Sequence, residues 1–94
     1  MPKESYFQSA VLHWLKETYP AAFVWKVQTA QYARQGVPDI CAVIDGRFYG
    51  FEVKRPYLGK LTGIQQATID AIRKAGGRAG VVTWPEDAER IIAG

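Results

Sequence analysis

The dipeptide Asp45-Gly46 lies between two strand-like runs, Asp39 to Ile44 (DICAVI) and Arg47 to Lys54 (RFYGFEVK). A two-residue Asp-Gly link takes positive φ at both positions and selects a tight antiparallel hairpin. That hairpin sets the start of the first run beside the end of the second. In the second run Tyr49, Phe51 and Val53 leave one face, and Gly50, Glu52 and Lys54 leave the other.

The flanking segments are predicted from their periodicity. Phe7, Val11, Trp14, Leu15 and Thr18 recur at helical spacing from Glu4 to about Thr18, and Pro20 forbids continuation. Pro2 suits a first turn, whereas a Ser5/Gln8 capping box would start the helix one turn later; both starts are open. Glu4, Gln8, Val11 and Leu15 share one stripe, which puts Glu4 at the end of the buried face. Phe23 to Val27 reads as a strand and TAQYARQG, ending at Gly36, as a loop. Beyond a loop at 55–62, Thr62-Gly-Ile-Gln65 opens a second helix with Ile64, Ala67, Thr68, Ala71, Ile72 and Ala75 on its apolar face. Gly76-Gly77 stops that helix, Ala79 to Thr83 reads as a short buried strand, and Thr83-Trp-Pro85-Glu86 begins a last helix. The order αβββαβα predicts an α/β (α+β) domain, a small mixed sheet flanked by helices, with residues 1–94 as a single unit.

Composition narrows the function classes. With 48% hydrophobic and 13% aromatic residues the chain is not disordered. It has neither an apolar run near the roughly 18 residues that span a bilayer nor a signal-peptide pattern. A soluble protein of the cytoplasm with no membrane partner is expected. Single Cys41 and single His13 exclude an internal disulfide and a multi-thiolate zinc site, so a bound metal would be a hard, oxygen-loving ion such as Mg²⁺ or Mn²⁺. A net charge of +3 suits a nucleic-acid partner if some of the nine acids are metal ligands. The small core keeps a homodimer open.

Across the hairpin, Asp39 falls near Glu52 and Lys54. Neighbouring carboxylates repel unless a cation bridges them, and Mg²⁺ takes oxygen ligands at about 2.1 Å. The Val53 carbonyl offers a third protein oxygen, leaving positions for water and a phosphate. Lys54 would orient or help deprotonate the attacking water, or stabilise the charge that develops on phosphorus. This is a pattern for metal-assisted phosphodiester hydrolysis. The same residues also permit a solvated Glu/Lys pair beside an ordinary Pro-Asp turn.

Three segments together, Gly36-Val-Pro-Asp39-Ile, Phe51-Glu52-Val-Lys54-Arg-Pro and Leu61-Thr-Gly-Ile-Gln65-Gln66, resemble the PD-(D/E)XK nuclease superfamily. Within it the chain is similar to the virus-type replication-repair nuclease (VRR-NUC) domain in its short stand-alone form, from Glu4 to about Val82. The resemblance implies an αβββαβ restriction-endonuclease-like core and a metal-dependent DNA endonuclease. It also implies dimers that act on branched DNA such as Holliday junctions, in a bacterial or phage-infected cell. Asp39 and Glu52 match its metal-binding acids, Lys54 its catalytic lysine, Glu4 a first-helix glutamate that completes the metal site, and Gln65 a glutamine of the following helix. Two alternatives stand beside these: Glu4 as a first-turn acid favoured by the helix dipole, and Gln65 as the capping partner of Thr62. A DNA-binding module of the same fold without catalysis is the alternative for the whole.

Arg55 and Lys60, which flank the exit of the catalytic strand, and Lys26, Arg34 and Arg73 are candidates for phosphate contact. His13 is expected on the polar side of its helix and Cys41 in the core. Trp14, Trp25 and Trp84 are expected to anchor the core or a dimer. The aromatic strand Phe23–Val27 with the loop through Tyr32 is the expected dimer surface, against the alternative that these rings fill the monomer's own core.

Overall fold

The computed structural model describes residues 2–28, 34–57 and 59–94, so Tyr32 and Leu58 lie outside the described residues. The elements run α1 (Glu4–Thr18), β1 (Phe23–Lys26), β2 (Ile40–Ile44), β3 (Arg47–Val53), α2 (Gly63–Lys74), β4 (Arg78–Val82) and α3 (Pro85–Ala93). Four strands form one sheet in the order β1-β2-β3-β4. The first three are antiparallel neighbours, and β4 joins β3 in parallel after the α2 crossover. This is the expected mixed α/β architecture.

The hairpin is built as its sequence dictates. Asp45 and Gly46 have φ of 50° and 82°, the double positive φ of a type I′ turn. Register follows from it, with Ile40 opposite Phe51 and Ile44 opposite Arg47. Ile40, Ala42, Ile44, Tyr49, Phe51, Val53 and Val82 form one buried face, covered by Phe7, Val11 and Leu15 of α1 and Ala88 of α3. On the opposite face a Cβ at Gly50 would stand 2.8 Å from Pro38 Cγ and 3.3 Å from Ile72 Cδ1. Glycine there lets the Pro38 segment and α2 close directly onto the sheet. The segment that carries Asp39 is seated by that contact.

Several boundaries and faces differ from expectation. The N-cap of α1 is Lys3, with no side-chain cap, so the helix starts at Glu4 and the Ser5/Gln8 box is not used. The strand expected from Asp39 begins at Ile40, although the Asp39 carbonyl still accepts from Val27 N–H at 2.8 Å. The last strand ends at Val82, because the N–H of Thr83 donates to Asp87 Oδ2 at 2.9 Å and turns the chain into α3.

The largest correction concerns α2. Its inward face is Gln65, Thr68, Ile69 and Ile72, with Ile69 buried, whereas Ile64, Ala67, Ala71 and Ala75 are exposed. The alanine stripe predicted as core offers little area per residue, so the two isoleucines that fit the sheet set the helix rotation. Part of that stripe borders a cavity of about 300 Å³ lined by Arg34, Val37, Pro38 and Phe48.

Candidate active site

Asp39 follows the fully buried Pro38 and is fixed by both neighbouring strands. Its carbonyl takes the Val27 N–H, and its carboxylate Oδ2 takes the Val53 N–H at 2.8 Å. The register that pairs Ile40 with Phe51 sets Asp39 across from Glu52 on one face of the sheet. Glu52 is 2% exposed and is the one buried charged side chain among the described residues.

Burial pushes the Glu52 carboxyl up to about 9, and a hydrogen bond to Asp39, the charge of Asp39 and the charge of Glu4 act in the same direction. Lys54 opposes them. Glu52 therefore holds a proton against Asp39 at neutral pH, as two carboxylates crowded in low dielectric must. Glu4, half-buried in the first turn of α1, is near enough for its charge to be felt at Glu52. The Asp39–Glu52 pair thus sits at the end of β3, with Glu4 and Lys54 close enough for their charges to act on Glu52.

This donor set fits a hard divalent cation. All-oxygen carboxylate ligands suit Mg²⁺ or Mn²⁺, and a cation would replace the shared proton and relieve the repulsion. No group of three or more Asp, Glu, His or Cys side chains that could hold a metal ion is found among the described residues. Mg²⁺ does not need one, since it is commonly held by one or two carboxylates, with waters and phosphate oxygens completing the octahedron.

Lys54 lies one residue beyond β3. Its N–H donates to the Val82 carbonyl at 2.9 Å, and its carbonyl accepts from Thr83 Oγ1 at 2.9 Å. Val53, between Glu52 and Lys54, buries its side chain in the opposite face and gives its N–H to Asp39. Gln65 is engaged in a capping box: its N–H donates to Thr62 Oγ1 at 3.2 Å, and its Oε1 accepts the Thr62 N–H at 3.0 Å. The capping alternative for Gln65 is thus realised.

The other candidates separate clearly. Arg55 is half-buried and Lys60 exposed beyond β3; Lys26, opposite Ile40 at the end of β1, and Arg34, beside the cavity at Pro38, are exposed. Arg73 instead donates Nε to the Ala79 carbonyl at 3.0 Å and covers the outer edge of β4. His13 is exposed beside Glu17, and Cys41 is buried with its thiol pushed up to about 11 by burial and the Asp39 charge. Trp25 touches Phe23 and Phe48, Trp14 packs on Tyr19, and Trp84 meets Phe7 edge-on. Sequence reasoning missed Thr83 and Asp87. Their signal is the Thr-Trp-Pro-Glu-Asp segment, which by sequence predicts only the start of the last helix.

No family model matches the chain, and no curated protein does. Among solved structures, a "VRR_NUC domain" is 25% identical with a TM-score of 0.67, covering 90% of this chain and 92% of the other. A "VRR_NUC domain protein" is 20% identical with a TM-score of 0.74, covering 99% and 87%. The fold predicted with the Pro-Asp and Glu-x-Lys motifs is shared with these two VRR_NUC-named structures over nearly the whole chain, consistent with a PD-(D/E)XK-like core.

Proposed function

We propose that the chain is an Mg²⁺- or Mn²⁺-dependent DNA endonuclease, selective for branched DNA such as four-way junctions and acting as a homodimer. The observation that carries this reading is Glu52, a buried carboxyl pressed against Asp39 at the end of a strand whose next residue in the chain but one is Lys54. A pair so costly to bury is poorly explained as structure, because an apolar pair would fill the same space at less expense. The neighbours named VRR_NUC support the same reading.

Asp39 and Glu52 would hold the metal, with Glu4 near enough to add a further oxygen and the Val53 carbonyl as a backbone donor. The bound ion would polarise the scissile phosphate and supply charge stabilisation. Lys54 would orient the attacking water and offset negative charge as the phosphorus–oxygen bond to the leaving group breaks. Gln65, through the amide NH₂ that its cap leaves available, would assist at the helix start. Arg55, Lys60, Lys26 and Arg34 would bind backbone phosphates, which fix register without reading sequence.

Two cuts on opposing strands of a junction require two active sites, and a two-fold dimer supplies them. The edge strand β1 supports that geometry, since Phe23 is 69% exposed there and carries Trp25 against it. Cleavage of labelled linear, nicked, flap and four-way-junction DNA in Mg²⁺, Mn²⁺ or EDTA tests the reading. Metal-dependent cutting strongest on the junction is expected. Tight DNA binding without any cleavage would instead make the chain a binding module.

A further inference from the structure

The register Val53 opposite Val82 makes Thr83 the partner of Lys54 beyond the end of the ladder. Lys54 N–H follows that register and donates to Val82 O. In a regular parallel ladder the Lys54 carbonyl would then accept from the N–H of Trp84. That N–H is taken elsewhere: Trp84 N and Thr83 N both donate to Asp87 Oδ2 at 2.9 Å, which caps α3. The Thr83 hydroxyl fills the vacated place and donates to the Lys54 carbonyl at 2.9 Å. Lys54 is thereby held at both backbone groups although the strand has ended, and Pro56 two residues on has no N–H to help.

We propose that Thr83, set by Asp87, is a positioning residue for Lys54, fixing the backbone from which the lysine reaches the Asp39–Glu52 pair. This rests on the nuclease reading above. A lysine on a fraying strand end would sample many positions, and misplacement by about 1 Å can cost on the order of 100-fold in rate. The last helix, which contributes no described residue to the acid cluster, is coupled to Lys54 by this bond, because Asp87 sets Thr83. Asp87 also pairs with Arg90, which holds the capping carboxylate in place.

The test is single-turnover cleavage at saturating DNA by the wild type, Thr83→Val, Thr83→Ser, Lys54→Ala and the Thr83→Val/Lys54→Ala double variant. Thr83→Val is expected to slow cleavage by about 10- to 100-fold with DNA affinity unchanged, and Thr83→Ser to recover most of the rate. In the Lys54→Ala background valine should cost nothing further, because both changes remove one function. Should valine unfold the chain, Thr83→Ala lacks the same hydroxyl without added bulk and carries the comparison. Wild-type rates in the hydroxyl-free variant, equal loss in the serine variant, or loss of DNA affinity in step with rate would overturn the proposal. An uncut wild-type substrate, or Lys54→Ala as active as wild type, would sink the nuclease reading instead. The placement itself is then read by amide exchange, where Lys54 N–H must exchange faster without the hydroxyl and not with serine.

Discussion

Glu52 lies at the end of β3 and Lys54 one residue beyond it, yet their surroundings divide their work. Burial keeps Glu52 protonated without metal, and Lys54 lies half-buried at the open end of the strand. Asp39→Asn and Lys54→Ala should each lower cleavage by about 10²–10⁴-fold while DNA binding and the circular dichroism spectrum persist. Asn retains an oxygen for the Val53 N–H and removes a charge beside Glu52, so the metal-free Tm of Asp39→Asn should hold or rise. The proton on Glu52 also makes stability depend on pH. Its folded value of about 9 exceeds the ordinary 4.5, so the folded state binds the proton more tightly than the unfolded chain. The resulting stability is complete below about pH 4.5 and is lost as pH rises towards 9. In EDTA, thermal melts should show Tm falling across that window, and Glu52→Gln should flatten the fall. Mg²⁺ should raise Tm most at the alkaline end, where it no longer competes with the proton.

Among the elements, α2 shows how weakly alanine orients a helix. Ile69 is 2% exposed and Ile64 53% exposed, although both belong to the same apolar sequence. Ile69→Ala should destabilise by about 2–5 kcal/mol, and Ile64→Ser should stay within about 0.5 kcal/mol of wild type in urea titrations. The reverse order would return the helix to the face its alanines suggest. The capping box of Thr62 and Gln65 fixes where α2 begins, and the Arg73 guanidinium on the Ala79 carbonyl ties its end to the edge of β4. Both ends of the crossover are anchored, which holds the Pro38 segment against Gly50 and so holds Asp39.

For the molecule as a whole, the sheet leaves β1 and β4 as edges. The β4 edge is covered in part by Arg73, and the β1 edge presents Phe23 and Trp25. Phe23, 69% exposed on that strand, offers an aromatic pairing surface, so sedimentation at micromolar concentration should give twice the monomer mass and Phe23→Glu should give the monomer. A wild-type monomer that still resolves junctions would remove the dimer from the proposal. DNA affinity should fall linearly on a log–log plot against salt, with each lysine or arginine that touches phosphate lowering the slope by about one when removed. No described helix is long and apolar enough to cross a membrane.

The sequence alone determined the features that depend on neighbours in the chain. Asp45-Gly46 determined the hairpin and hence the meeting of Asp39 with Glu52, because turn geometry admits a single register. Pro20, Gly76 and Pro85 marked helix limits for the same local reason, and the Thr62/Gln65 box was readable from its spacing. The rotation of α2, the protonation of Glu52 and the Thr83 bond to Lys54 were decided only in three dimensions. Each depends on groups brought together from distant positions: Ile69 against the sheet, Glu4 and Asp39 around one buried carboxyl, and a hydroxyl from the last turn filling a place that a helix cap had emptied. Periodicity reports which residues share a face, but the packing partner chooses the face that is buried, and desolvation sets the charge state there.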